Sequence, residues 1–533
     1  MEKDSARYLS HLNGALPKHA HGYMSSGYSI ALEGWRRGLN LKIKVAARRG
    51  NRVVEYILDD GEKSYYFQDT RGDLVSRDAV HTCVHKDLTK KALLKAGVAT
   101  PRGETFDEEK TVEEILTYAQ ELGYPLVVKP SNGTGGKGVI ANIRDESEMK
   151  EAIDYVRNNL KFNKIIVEQF FKGEDHRFYV VGNEVIGIFK RDPASVTGNG
   201  KDTIENLLRK KNEARMKIPS LKNKPIKVNK ETETLLNRVG YTLSSVPADG
   251  EVVFLKSKNN VSSGGEAVDV TDEISKEFKE IAVSAAKAIP TLIQAGVDMI
   301  IDKEKNLGVI LEINSRPHIR THLFPSYGRA RDIPTAVIDY YFPATKGYDR
   351  TNRAQMYFDF DHVFESFLSG VSEYIEIPNI PDNIKLARLE INTNNNTTFS
   401  DTINDWIQRR ARKNKVSGYL KKVNKNTFSL VCAGSGSEVD EFKKIVSQKI
   451  SKSMSIVQIR TKSRTTPVKQ GFVIIKGEEN NKHLQLKNDK LREENIKLKK
   501  DLKLYKKQLK QMRNSTSWKL TKPLRVIKNR AKK

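Results

Sequence analysis

The sequence predicts an α+β protein assembled from several domains, and three observations carry that reading. A chain of 533 residues exceeds what one hydrophobic core organises. Strand-like runs such as YPLVVKP, KIIVEQFF, GVDMIID and GVILEIN are interleaved with helical periods such as KDLTKKALLK and EISKEFKEIAVSAAKAI. The composition, 38% apolar and 30% charged with 34 Gly and 17 Pro, is that of a globular chain and excludes collagen, whole-chain disorder and a disulfide scaffold. Cys83 and Cys432 are the only cysteines, too few for a cysteine metal cluster and suited to a reducing compartment. The first residues, MEKDSARYLSHLNGALPK, hold no apolar signal region, and nowhere do eighteen apolar residues run together. The expectation is a cytoplasmic chain that does not cross a membrane.

Taken in order, residues 1–82 combine SIALEGWRRGLNL with the alternating VVEYILDD and SYYFQDT, an α/β region with no evident chemistry. Residues 83–343 open with a helix stopped near Gly97 and Pro101, continue through EEILTYAQELG into the apolar strand YPLVVKP, and then alternate strands and helices as a catalytic core. Residues 344–384 read as a linker region. Residues 385–476 form a small domain of short strands with helices at DTINDWIQRRARK and EVDEFKKIVSQKI. Over 477–513 a heptad appears, with Leu484, Leu491, Leu498, Tyr505 and Met512 on one seam position and Asn488, Asn495, Leu502 and Leu509 on the other. This predicts a two-stranded coiled coil, hence a homodimer, the asparagines setting register at a cost in stability; a lone solvated basic helix is the alternative.

The net charge of +27 is unevenly placed, for residues 477–533 hold 19 basic against 6 acidic residues, a surplus of 13. A basic appendage on a milder body follows. In the tail, 514–533, Trp518, Leu520, Leu524, Val526 and Ile527 alternate with lysine and arginine, which suits an anionic lipid surface. Nucleic acid is the less favoured partner, and a plain disordered tail is the alternative.

The chemistry concentrates after strand YPLVVKP. Lys129 ends that strand, and the loop SNGTGGKGV follows with Gly133, Gly135, Gly136 and Lys137. Closely spaced glycines let backbone N–H groups converge as a nest, and the lysine adds charge, so a polyphosphate is the fitting guest. The loop lacks the GKS or GKT of a P-loop and the spacing of a dinucleotide fingerprint; alone, it also reads as a flexible linker. Downstream, Asp298 lies in GVDMIID, and Glu312 and Asn314 alternate on LEIN and share one face. Two carboxylates and an amide oxygen suit magnesium, with manganese as a substitute. Each acid taken alone also reads as a cap or a salt-bridge partner.

Lys86, Lys129, the SNGTGGKGV loop, the EQFFKGEDHR segment and the Asp298, Glu312, Asn314 set occur in the order seen in ATP-grasp ligases, which the region 80–343 resembles. The stretches KRDPASVTGNGKDTIENLL, NVSSGGEAVDVTDEI and LEINSRPHIRTHLFP are most similar to the modules of bifunctional bacterial glutathione synthetases and of cyanophycin synthetase. The resemblance implies two α+β subdomains gripping ATP. It implies that Lys86 and Lys129 contact phosphates, that Glu168 meets the adenine side and Asp175 the ribose, and that Asp298, Glu312 and Asn314 hold Mg2+. Arg191 would steady the transferring phosphate, and Arg316, His318, Arg320 and His322 would meet an anionic substrate. The reaction implied is formation of an acyl phosphate from ATP and a small-molecule or polymer-linked carboxylate, then attack by an amine. The companion halves of those enzymes are not visible in the sequence, so their products are not expected.

The segment NDWIQRRARKNKVSGYLKKVNKNTFSLVCAGSGSEVDEFKKIV resembles acylphosphatase, a ferredoxin-like domain, but Ser400 stands near the place of its catalytic arginine and Lys422 at that of its asparagine. A docking role for a polymer or carrier is therefore expected over acyl-phosphate hydrolysis. STSWKLTKPLR resembles tails of bacterial glycosyltransferases of cell-surface polysaccharide pathways, which suggests work at the inner membrane surface on envelope or capsular polymers. The alternatives to a ligase are an acylphosphatase-type hydrolase and a nucleotide-binding scaffold at the membrane surface.

Overall fold

The computed structural model describes residues 8–475 except 49–50, 132–137, 223, 258, 262–263, 371–372, 394–398, 454–455 and 463; beyond 475 it describes Glu494, Asp501 and Tyr505, each helical. The expected coiled coil at 477–513, apart from those three residues, and the basic tail at 514–533 lie outside the described residues. The chain divides into two compact units. The first comprises 1–386 with short returns at 433–437 and 464–471; the second comprises 387–432, 438–463 and 472–533.

In the first unit, Asn40–Arg48 (β1), Asn51–Asp59 (β2), Ser64–Gln68 (β3) and Arg71–Gly72 (β4) form an antiparallel sheet, which Ile375–Ile377 completes by pairing with β1. The stretch read as a linker therefore returns to the N-terminal region. Its Phe358 and Phe360 pack on Tyr28 at ring separations of 4.9 and 5.3 Å, and the Trp35 indole donates to the Pro378 carbonyl at 2.9 Å. Aromatic side chains bury large apolar areas, which explains why this return is worth its chain entropy.

A second sheet holds Gly103–Phe106 (β5), Leu126–Pro130 (β6), Ile140–Ile143 (β7) and Ile165–Gln169 (β8) in the order β5-β8-β6-β7. The helix Val112–Leu122 that covers it starts with a capping box, Thr111 accepting from the Glu114 N–H while Glu114 accepts from Thr111, which satisfies two orphan donors. Gly103 has to be glycine, since a Cβ there would stand 2.2 Å from the Val167 carbonyl oxygen. Glu174–Val181 (β9) and Glu184–Asp192 (β10) follow, then the small pair Ser195–Thr197 (β11) and Val252–Phe254 (β12), Glu266–Asp269 (β13), Gln294–Asp302 (β14) and Leu307–Asn314 (β15). The third sheet runs β13-β10-β9-β14-β15, antiparallel throughout. Phe278, Ala282, Ala285 and Ala286 of helix Lys276–Lys287 pack on one face of it together with Ala79 and Leu93 of the helices Arg77–Val84 and Lys86–Lys95. That shared core positions Lys86 at a helix start.

The second unit has a five-stranded sheet ordered Ile456–Lys462, Ile384–Thr393, Thr427–Ser435, Ser417–Lys422, Phe472–Ile475, with helices Asp401–Lys413 and Gly436–Ser453. Up to Lys462 the order is strand, helix, two strands, helix, strand, the split βαβ order, and Phe472–Ile475 adds a fifth strand parallel to Ser417–Lys422. Ile407, Phe428, Leu430, Phe442 and Val446 fill its core. Ser400 caps the helix Asp401–Lys413 by accepting from the Ile403 N–H, and the Lys422 ammonium lies 5.9 Å from the centre of the Phe428 ring.

One sequence expectation is corrected by burial. His322 lies inside the first unit, its ring 4.7 Å from Phe189 and 5.8 Å from Tyr179, with no exposure that would let it meet a substrate. Burial, with Arg177, Arg191 and Arg331 nearby, pushes its pKa down to about 3 from the usual 6.5. The folded protein thus holds a neutral imidazole where the unfolded chain binds a proton, so stability is present above pH 6.5 and is lost as pH falls from there. By pH ~5 this group alone removes about 2 kcal/mol. A His322→Leu variant is expected to lose correspondingly less stability than the native protein between pH ~7 and ~5, measured by denaturant unfolding.

A buried network fixes the first unit at its N-terminal helix Ser25–Arg36. Glu33, 2% exposed, accepts from Arg37 at 2.9 Å, Arg350 at 3.1 Å and the Tyr348 hydroxyl at 3.0 Å. Removing one member of such a network leaves uncompensated buried charge. Glu33→Gln is expected to destabilise the first unit by about 3–5 kcal/mol in equilibrium unfolding.

Candidate functional site

Lys129, at the end of β6, makes a close ion pair with Glu168 of β8; the register Val127↔Glu168 on these antiparallel strands brings them together. Lys86, half-buried at the start of its helix, has its pKa lowered by burial, against the attraction of Glu312 and with the repulsion of Lys129. It therefore senses groups of both sheets. Lys90, one turn on, donates to the Gly103 carbonyl at 2.9 Å, and its pKa is lowered by burial with Lys129 opposing and Glu168 supporting its charge. Lys90 was not singled out from sequence; its i+4 spacing from Lys86 on a helix was the available signal. Gly133, Gly135, Gly136 and Lys137 lie outside the described residues; at Gly138, with φ of 75°, a Cβ would stand 2.8 Å from a ring carbon of Pro130.

The third sheet presents a charged cluster on the face opposite its helix-packed core. Asp298 of β14 stands in register with Arg177 of β9 and Glu312 of β15. Arg177 grips Asp298 with two nitrogens, Nη2 at 2.8 Å, and Arg191 of β10 donates to it at 2.7 Å. Arg191 also holds both oxygens of Asp175 at 3.1 Å, and the Asn259 amide donates to Asp175 at 3.3 Å. Burial pushes both carboxylates up. Arg177 and Arg191 outweigh it at Asp298, which stays below the usual range, whereas at Asp175 burial and the neighbouring Asp298 prevail and raise the pKa. Asp175 is thus grouped with the arginines. Arg177 is a second residue that sequence reasoning passed over, though Asp175 and Arg177 alternate onto one strand face.

Glu312 and Asn314 share a face of β15, half-buried, with no side-chain hydrogen bond or ion pair among the described residues. Their oxygens, beside Asp298, are the hard donors a magnesium ion takes. The donor chemistry fits such an ion, but in this structure both Asp298 oxygens belong to arginines, and among the described residues no group of three His, Cys, Asp or Glu is assembled for a metal.

The loop after β15 turns toward the N-terminal region. The Arg316 guanidinium donates to the Gln68 side chain at 2.8 Å, His318 pairs with Asp69 at 3.1 Å, and the Thr70 hydroxyl donates to the Pro317 carbonyl at 2.9 Å. Arg320 is buried with its guanidinium 4.0 Å from the centre of the Tyr23 ring. Of the four residues assigned to substrate from sequence, three thus gather beside the N-terminal region and His322 does not.

A family profile for the carbamoyl-phosphate synthase L chain ATP-binding domain matches residues 85–187, and one for the RimK-like ATP-grasp domain matches 239–324. Among curated proteins, the glutathione biosynthesis bifunctional protein of Clostridium perfringens is 32% identical over 59% of this chain and 40% of its own length. The cyanophycin synthetase of Geminocystis herdmanii is 36% identical over 50% of this chain and 31% of its own. The chain therefore spans less than half the length of these relatives. The solved bifunctional glutathione synthetase of Pasteurella multocida is 25% identical with a TM-score of 0.45, covering 57% of this chain and 42% of that one. The matched segments contain Lys86, Lys129, Glu168, Asp175 and Arg177 in the first and Asp298, Glu312, Asn314 and Arg320 in the second. Residues 85–187 are thus similar to an ATP-binding domain and residues 239–324 to an ATP-grasp domain, and the same region is what the chain shares with the glutathione and cyanophycin synthetases.

Proposed function

We propose that the protein is an ATP- and Mg2+-dependent ligase that activates a carboxylate as an acyl phosphate and joins it to an amine. The observation that carries this is the convergence of charges from separate elements: Lys86 lies within electrostatic reach of both the Lys129–Glu168 pair and Glu312, while Arg177 and Arg191 are held in place by Asp298. Phosphoryl transfer asks for positioning and charge neutralisation more than for covalent help. Lys86 and Lys129 supply cations for phosphate oxygens, and Glu168 orients Lys129. Arg191, fixed by Asp175 and Asp298, holds a guanidinium ready for charge that develops on the transferring group. Glu312 and Asn314, with Asp298, would hold Mg2+, which supplies neutralisation of phosphate charge when bound.

The remaining features support a setting for that activity. The split βαβ unit is in our reading an acylphosphatase-like docking domain for a carrier or polymer, since Ser400 is spent on a helix cap and no arginine precedes the helix there. The heptads of 477–513 support a homodimer, and the basic, apolar-studded tail supports contact with an anionic membrane. Together with the tail's resemblance to envelope glycosyltransferases, this supports our reading of work in the cytoplasm, at the inner membrane surface, in modification of envelope or capsular polymers.

The test is phosphate release from ATP and Mg2+ by the full-length protein, with pooled amines crossed against pooled carboxylates that include uronic-acid sugars. Release is expected only with both pools and is expected to fall about 10²–10³-fold in Glu312→Gln, whose unfolding midpoint stays near the native value because Glu312 holds no hydrogen bond among the described residues. Release with neither pool, or a Glu312→Gln protein as active as the native one, overturns the ligase reading.

A further inference from the structure

The helix Arg77–Val84 buries Ala79 and packs Val80 and Cys83 against the core of the third sheet, which leaves its other side to solvent. On that side stand His81 and His85, both exposed and four positions apart. Helical geometry brings side chains at this spacing to one face. The helical bond that sets it is in place, for the His85 N–H donates to the His81 carbonyl at 3.2 Å. The two ring centres lie 4.4 Å apart, with their planes inclined by 43°. Neither ring makes a hydrogen bond or an ion pair among the described residues, whereas His11, His19, His21, His176 and His318 each have a polar partner.

The backbone holds the pair ready. The Thr89 hydroxyl donates to the Thr82 carbonyl at 2.7 Å and the Thr89 N–H to the His85 carbonyl at 3.0 Å, which ties the helix Lys86–Lys95 to the end of the helix before it. His85 lies between the two, with φ of −98° and ψ of 105°, where the chain leaves one helical path and starts the next. A ligand taken up here meets side chains whose main chain is already fixed, and little ordering entropy opposes it. Rings at this separation can each bring one nitrogen to a common ion, about 2.0–2.1 Å from each. Imidazole suits Zn2+, Cu2+ and Ni2+, whereas Mg2+ takes oxygen. Cys83 is directed into the core and is not a ligand. Among the described residues no third His, Cys, Asp or Glu completes the set, so the remaining positions fall to water, as in an open and exchangeable site.

We infer that His81 and His85 chelate a transition-metal dication of the Zn2+ class, which staples the last turn of the helix Arg77–Val84 to the start of the helix Lys86–Lys95. Paired histidines at i and i+4 on one helix face are a chelating arrangement wherever they occur. The site differs in chemistry from the oxygen donors Asp298, Glu312 and Asn314, and it stands whether or not the protein is a ligase. Because the second helix carries Lys86 and Lys90, the ion fixes the origin of the element that presents both lysines.

The experiment is isothermal titration of untagged, chelator-stripped full-length protein with ZnCl2, in the absence of nucleotide and with excess MgCl2 present. The native protein is expected to bind one Zn2+ that is at least about tenfold weaker in His81→Gln and in His85→Gln; both positions are exposed, and circular dichroism checks that the variants fold. The unfolding midpoint of the native protein is expected to rise with Zn2+ and those of the two variants to rise less, since an ion that binds the folded chain stabilises it. With Cu2+ in place of Zn2+, electron paramagnetic resonance is expected to show coupling to two imidazole nitrogens in the native protein and to fewer in each variant. Glu312→Gln is expected to keep the Zn2+ heat in full. No Zn2+ binding, binding that is equally tight in both histidine variants, or binding abolished by Mg2+ or by Glu312→Gln overturns the site.

Discussion

The arrangement of the first unit depends on one buried carboxylate. Asp298 leaves water to stand between Arg177 and Arg191, and taking these charges out of solvent costs several kcal/mol per ion before their attraction is counted. The geometry repays this because the three residues come from adjacent antiparallel strands, β10, β9 and β14, whose register is set by the apolar face behind them. A slip of one residue in β14 would send Asp298 into the core of Phe278 and Ala282 and bring Val297 to the charged face. The ion cluster and the apolar core therefore enforce each other. The same cluster decides which groups are ready for chemistry: Asp298 is kept ionised by two guanidiniums, Asp175 is left easier to protonate, and Arg191 is held between them.

The N-terminal region, chemically silent as a sequence, packs against the loop that follows the carboxylate strand. Gln68, Asp69 and Thr70 receive the loop that follows β15, and Tyr23 lies against Arg320 and Lys224. It is locked in place from the other direction by Glu33 with Arg37, Tyr348 and Arg350, and by the aromatic return of Phe358 and Phe360. Apart from the Glu33–Arg37 pair, four residues apart, these partners are about 300 residues distant in sequence, which is why residues 344–384, lacking a long periodic segment, read as a linker.

Legibility tracked the range of the interaction. Lys129 was readable because it ends an apolar strand next to a glycine-rich loop, and Asp298, Glu312 and Asn314 because strand alternation assigns faces from spacing alone. Arg177 and Lys90 carry no motif of their own, and their importance comes from which carboxylate or carbonyl a neighbouring strand offers. His322 shows the converse. The resemblance grouped it with Arg320 as a substrate residue, but the backbone there is the short helix Arg320–Leu323, so the two side chains point apart and the imidazole turns into Phe189 and Tyr179.

By itself the sequence determined the local conformations, the strand faces that carry acid and amide oxygens, the split βαβ order of the small unit and the concentration of positive charge at the C-terminal end, because these follow from propensity, alternation and composition over short stretches. Tertiary structure decided which charges meet: that Lys86 senses both sheets, that Asp298 belongs to Arg177 and Arg191, and that Lys224 and Arg320 both lie against the Tyr23 ring. Those outcomes depend on desolvation and on distances between elements tens to hundreds of residues apart, from 121 between Arg177 and Asp298 to 297 between Tyr23 and Arg320. Burial and pairing of charge are properties of the packed chain, and no window of sequence contains them.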